Sequence, residues 1–232
     1  MIEFFTAPAP NGWKVAIMLE ECGLAYEPRW VNLAAGDQHS QEYLAINPNG
    51  RIPAITDHAP GLLRQIQQHR TRFEHRNLLA AVAGRFLPTD LRGQARVRQW
   101  LFWQVGHLGP TLGQHGHFHL YAEEKLPYAI ERFHREALRV YGVMDRQLAQ
   151  EEHLAGADYT IADMACFPWV RTWKAQGIPL ADFPHVKRWY DALKTREGLR
   201  RGVALGSDIA RRGEMSAAER QNLFGTAKAR VQ

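Results

Sequence analysis

A change of hydrophobic period near Pro88 constrains this chain more than any other feature of its sequence. Before that point strand-like and helix-like segments alternate. Ile2-Glu3-Phe4-Phe5 is a short apolar strand. Val15, Met18, Leu19 and Cys22 then recur at i, i+3, i+4 and i+7, the spacing of one helix face, and Gly23 stops the helix. "YEPRWVNL" predicts a second strand centred on Trp30-Val31. "SQEYLAIN" predicts a short helix with Ser40 as its N-cap, and Ala54-Ile55-Thr56 a third strand. The order β-α-β-α-β is that of an α/β unit. Beyond Pro88 the pattern is helical throughout. Leu91 to Val105 and Leu126 to Gln150 are long helices, the second opened by Pro127 in its first turn. "YTIADMACFPWVRTW" and "FPHVKRWYDALKTR" follow, and Thr160 with Asp163 has the spacing of a capping box. The division expected is an α/β unit over 1–84, an all-helical unit over 90–206 and a polar tail over 207–232 that wraps the surface or frays.

Composition narrows the function classes. The chain has 232 residues and a mean hydropathy of −0.40, and it lacks the ~20-residue apolar run that a membrane-spanning helix needs. Its first residues have neither the basic start nor the apolar stretch of a secretory leader. The two cysteines, Cys22 and Cys166, are far apart. They form no disulfide framework, zinc site or C-x-x-C redox pair, and a reducing cytoplasm is the setting expected. The net charge of +5 comes largely from Arg64 to Arg76 and from the tail after Arg196. Neither segment interleaves aromatic residues with its cations, so nucleic acid is not the expected partner.

One segment, Asn47-Pro48-Asn49-Gly50-Arg51-Ile52-Pro53-Ala54, places a proline at the mouth of a strand after a strong turn signal. On these residues alone a trans proline at a loop-to-strand junction is the ordinary reading, since only about 5–6% of X–Pro bonds in folded proteins are cis. A cis bond would instead turn the N–H and C=O of Ile52 outward, where a peptide-like ligand can pair with them.

The motifs "APAPNGWKVAIMLEE", "INPNGRIPAITDH", "QWLFWQVGHLGPTLGQ", "PYAIERF" and "YTIADMACFPWV" together resemble the cytosolic glutathione transferases. Within them they are similar to the bacterial Nu class, disulfide-bond reductases related to the yeast nitrogen-regulation prion protein. The resemblance implies a thioredoxin-like first domain, an all-α second domain and a homodimer. It implies glutathione as co-substrate, a disulfide as second substrate, and no metal. It makes the Ile52–Pro53 bond cis, with the Ile52 backbone holding the cysteinyl part of glutathione. It puts Asn11, at the start of the first helix, near the glutathione sulfur, where a carboxamide N–H can donate to a thiolate. It assigns Gln38 to the glycyl end and Arg132 to a glutathione carboxylate, which suits a guanidinium fork. Taken singly, Asn11 is equally a helix N-cap and Arg132 a surface ion-pair partner of Glu131 or Glu136.

The pattern breaks in one window. In the family a strand after the cis-proline turn leads to a Glu-Ser pair that holds the γ-glutamyl group. With spacing preserved, those positions fall here on Thr71 and Arg72. Gly61 to Ala83 has no strand alternation, yet its flanks match well. That is the mark of compensating reading-frame slips or of true divergence with weakened γ-glutamyl binding. "QHGHFH" spaces His115, His117 and His119 as a zinc site can, but without the companion ligands such a site needs. Trp100, Phe102 and Trp103 are expected in the core or an interface, and both cysteines are expected to be inert. The function implied is glutathione-dependent disulfide reduction, with weak peroxidase or aryl-conjugating activity beside it. The alternative is a non-enzymatic glutathione-binding or regulatory protein on the same fold.

Overall fold

The computed structural model describes residues 1–58, 84–210 and 215–225. Strand β1 (Ile2–Thr6) lies between β2 (Tyr26–Trp30) and β3 (Ala54–Asp57) in the sheet order β2-β1-β3. β1 pairs parallel to β2, from Ile2↔Tyr26 to Thr6↔Trp30, and antiparallel to β3, from Ile2↔Asp57 to Phe5↔Ala54. The parallel pair requires a crossover, and helix α1 (Pro10–Cys22) supplies it. Gly23 closes α1 in the left-handed conformation. Trp30 is the last residue of β2 rather than its centre, because the chain leaves the sheet once Val31 N–H has bonded Thr6 C=O at 2.9 Å. Helix α2 (Gln41–Ile46) has Ser40 as its N-cap, accepting from Tyr43 N–H.

The helical part begins with α3 (Leu91–Trp103), capped by Asp90, and continues without a break into α4 (Gly109–Gly116). A wide π-type turn over Gln104–Leu108 joins them, with Gly109 N–H reaching back to Gln104 C=O. Pro110 accounts for that turn. It has no N–H, its ring crowds the carbonyl four residues back, and an added residue in the turn relieves both problems. A second such turn, His117–Tyr121, ends this helical run. Helices α5 (Pro127–Leu148), α6 (Ile161–Val170), α7 (Pro184–Leu193) and α8 (Glu197–Ala204) complete the bundle. A capped helix, α9 (Ala217–Phe224), follows in the segment expected to be a tail.

Two cores result. Phe4, Ile2, Ala16 and Leu19 close the space between sheet and α1. Leu108, Leu112, Tyr141, Met144, Met164, Phe167 and Trp189 fill the bundle. Trp100 and Trp103, edge to face with each other, pack against that second core, while Phe102 stays exposed. Helix α8 lies directly on α1, because a Cβ at Gly202 would fall 2.6 Å from the backbone of Ile17. No side chain larger than hydrogen allows that approach. Arg196, at the start of α8, forks onto Glu21 of α1 at 2.9 and 2.8 Å.

The capping box of α6 has a fully buried Asp163 at its centre. Its carboxylate accepts from Leu154 N–H, Thr160 N–H, Thr160 Oγ1 and Trp189 Nε1 at 2.8–3.1 Å. One side chain thereby ties a loop, a helix start and α7 together. Asp163→Ala leaves these donors buried and unpaired. We expect it to cost about 3–4 kcal/mol of unfolding free energy, read from denaturant melts. A loss under about 1 kcal/mol would show that the carboxylate is not the tie.

Candidate functional site

The carboxyl ends of β1 and β2 gather three of the predicted site residues. Asn11 is the second residue of α1, behind Pro10. The helix is capped by Ala9, which offers no side-chain acceptor, so Asn11 is not the cap that its position in the sequence allows. Its half-buried carboxamide makes no hydrogen bond to any described residue. Within the first turn Pro10 has no N–H and Ala9 N–H bonds Ala7 C=O, and the N–H groups of Asn11 and Gly12 have no partner among the described residues. Gly12 fixes where that turn sits. A Cβ there would lie 2.4 Å from both Ala7 O and Thr6 Oγ1, so the helix start rests on the end of β1.

Ile52 lies just past the last sheet pair, Phe5↔Ala54, and the Ile52–Pro53 peptide is cis. Arg51 C=O is taken by Tyr43 Oη at 2.8 Å and Asn47 Nδ2 at 2.6 Å. The N–H and C=O of Ile52 have no partner among the described residues, so the peptide edge is open.

Gln38 sits on a single turn, Asp37–His39, in the loop that follows β2. It is 2% exposed, far more enclosed than a surface loop residue. Its Nε2 approaches Asn222 C=O at 3.1 Å, the His39 ring nitrogen at 3.2 Å and Leu33 C=O at 3.4 Å, while Oε1 is buried with no partner. Asn222 belongs to α9, a residue that pattern reading of the tail passed over. The signal was present: Ser216 and Glu219 form a capping box ahead of that helix.

Arg132 is exposed on α5 and joins neither acid that sequence spacing offered it. Glu131 pairs with Arg135 and Glu136 with Arg139, while Arg132 helps only through space to hold the Glu136 carboxyl below its usual range. It makes no bond to Asn11, Gln38 or Ile52. Thr71 and Arg72 lie outside the described residues, as does the rest of the Gly61 to Ala83 window.

The histidines do not converge on a common point. His115 is fully buried and bonds Gln176 C=O through Nε2 at 2.9 Å, and its ring stacks on His119 at 5.3 Å and tilts on His134 at 5.2 Å. His117 turns instead to Phe118 and Phe224. Among the described residues no group of His, Cys, Asp and Glu is arranged to hold a metal ion. Cys166 is sealed inside α6 and Cys22 ends α1, and burial pushes both thiols up, Cys166 furthest. Lys14, one turn beyond Asn11, is held below its usual value by burial and reaches Gln104 Oε1 at 3.4 Å. Among the described residues no helix is long and apolar enough to cross a membrane.

Comparison with known proteins gives the family. The N-terminal domain model of glutathione S-transferases matches residues 9–64, and the C-terminal domain model matches residues 127–192. The disulfide-bond oxidoreductase YfcG of Escherichia coli is 44% identical over 199 residues, covering 84% of this chain and 91% of the relative. This chain belongs to the glutathione S-transferase family. A second Escherichia coli relative, the disulfide-bond oxidoreductase YghU, is 36% identical over 217 residues, covering 87% of this chain and 73% of the relative. A glutathione transferase from Pseudomonas putida, crystallised with one glutathione disulfide per subunit, superposes with a TM-score of 0.75 at 34% identity, covering 87% of this chain and 90% of that one. The two-part fold implied by the sequence is the family fold.

The His115 environment yields a pH dependence. Nε2 must carry hydrogen to donate to a carbonyl, which leaves Nδ1 as a bare lone pair buried without a donor. Protonating it puts charge in a sealed site beside His119 and His134, so burial holds its pKa below 6.5. The unfolded chain takes up that proton first. Stability is therefore held above pH ~6.5 and lost as pH falls through the lower folded value. His115→Gln, which can keep the bond to Gln176 C=O, should flatten the decline of the denaturant midpoint as pH falls below about 6.5. An unchanged slope would assign the decline to other groups.

Proposed function

We propose that this protein is a glutathione-dependent disulfide-bond reductase. The reading rests chiefly on one observation: an unpaired Asn11 carboxamide, two free helix N–H groups and the unpaired Ile52 peptide share one end of the sheet. Donors aimed at a thiolate and an open peptide edge suit a ligand that is itself a short thiol peptide. The disulfide-bond oxidoreductases among the relatives, and the glutathione disulfide held by the Pseudomonas putida transferase, support the same chemistry.

In this reading the Ile52 N–H and C=O pair with the cysteinyl unit of glutathione as an added strand would. Arg132 attracts a glutathione carboxylate, and Gln38 faces the glycyl end. The sulfur then lies over the start of α1. There the Asn11 carboxamide and the free N–H groups favour the thiolate. The thiolate attacks one sulfur of the substrate disulfide. The sulfur–sulfur bond breaks, a mixed disulfide forms, and the displaced thiolate takes a proton. A second glutathione thiolate attacks the mixed disulfide and releases the other substrate thiol with glutathione disulfide. Two glutathione thiols are oxidised for each substrate disulfide reduced. Neither Cys22 nor Cys166 takes part, which accords with their burial. The protein contributes position and donors.

Asn11→Ala should lower turnover of hydroxyethyl disulfide by roughly 10- to 100-fold, the low end for loss of an oxyanion-type donor because sulfur accepts weakly. The melting temperature should stay unchanged, since the carboxamide holds nothing in the fold. Wild-type turnover in the variant would remove Asn11 from the chemistry.

The assembly proposed is a homodimer. Leu91 and Phe102 of α3, with Val105 in the wide turn that continues it, leave 84, 73 and 57% of their surface exposed, at spacings that place them on one helix face. Large apolar side chains left exposed on one face of a helix suit a subunit contact. Light scattering at micromolar protein should give twice the mass of the chain. A monomer at that concentration would refute the assignment.

A further inference from the structure

Helix α9 bridges the two halves of the molecule. On one side Asn222 Nδ2 donates to Ala34 C=O at 2.6 Å, and Asn222 C=O accepts from Gln38 Nε2 at 3.1 Å. On the other side Phe224 stacks on Tyr121 at 5.6 Å and meets the edge of His117 at 4.8 Å. Arg220 donates to Tyr121 C=O and pairs with Glu123, each at 3.0 Å. The segment is thus fastened both to the loop after β2 and to the end of the α4 helical run. These contacts are few, and each is of a kind worth little on its own, so they can be exchanged for others.

The contact at Gln38 gives this bridge a consequence. Resting on the reading that Gln38 faces the glycyl end of glutathione, a carboxylate there needs an N–H donor. The two hydrogens of Nε2 are already spent among Asn222 C=O, the His39 ring nitrogen and Leu33 C=O. What the side chain leaves unpaired is Oε1, an acceptor, buried and without a donor. A carboxylate cannot use that atom. We propose that α9 is an intramolecular strap that competes with glutathione for the Gln38 carboxamide, and that it is displaced when glutathione binds.

Calorimetric titration with reduced glutathione tests this on the full chain, on a chain ending at Ile209, and on the full chain with Asn222→Ala and Phe224→Ala. Each is made with and without Gln38→Ala. The point variants carry the test if the shortened chain fails to fold, as judged by near-UV circular dichroism. Release of the strap should tighten glutathione binding roughly three- to tenfold, the scale of one or two net hydrogen bonds, and Gln38→Ala should erase the gain. Hydrogen exchange should show the amides of residues 217–224 losing protection as glutathione saturates the full chain. Unchanged or weaker binding on release, a gain that survives Gln38→Ala, or added protection over 217–224 would each overturn the strap. If release has no effect while Gln38→Ala still weakens binding in the shortened chain, the strap fails and the site stands. If Gln38→Ala leaves the shortened chain unaffected, Gln38 lies outside the glutathione site and the competition falls with it.

Discussion

The approach of backbone to backbone along helix α1 is the constraint on which the rest of the structure depends. At its start Gly12 lets the first turn rest on Ala7 C=O, and in its middle Gly202 of α8 lies against Ile17. Both contacts are closer than any side chain permits, so they set the height and rotation of α1 with little freedom. The first decides where the Asn11 carboxamide and the free N–H groups stand relative to the end of β1. The second couples that position to the helical bundle. Glu21, gripped by Arg196, and Arg85, which donates to Glu21 C=O and Cys22 C=O, close the far end of the same helix. One helix therefore serves as crossover, as floor of the candidate site and as the seam between the two cores.

Much of this was legible in the sequence, for physical reasons. The α1 face, the Gly23 stop, the Ser40 cap and the Thr160–Asp163 box are local, each written by residues within a turn or two of one another. The helix Gly109–Gly116 was harder, because its glycines and Pro110 lower the helical signal, and only the wide turn before it lets the run continue. Helix α9 was masked by its polarity. It buries no residue and is held through Asn222, Arg220 and Phe224, each bonded to a partner about a hundred residues or more away in sequence. Short-range pattern cannot show contacts of that kind.

The site divides along the same line. Turn chemistry raised the question at Ile52–Pro53, while the family resemblance singled out Asn11 and gave both residues their roles. Their unpaired state is a property of the folded chain. So is the burial of Gln38, which as a loop glutamine gave no sign that a distant helix would occupy its donor. For Arg132 the sequence offered two acidic neighbours, and the fold gave both to other arginines. Glu131 pairs with Arg135 four residues on and Glu136 with Arg139 three residues on, although Arg132 stands four residues before Glu136, so helical spacing allowed more than one partner and did not choose between them.

The sealed cysteines have a consequence for kinetics. A catalyst of disulfide exchange that used its own thiol would cycle between reduced and oxidised protein, and each turnover would leave it in a state that had to be reset. Here both thiols are buried, and burial pushes both up, Cys166 further. In the reaction proposed, the protein then carries no oxidised form from one turnover to the next. Electrons pass only between the bound small molecules, and turnover depends on the glutathione supply. The order in which ligands arrive, rather than the redox history of the protein, would set the pace of the cycle.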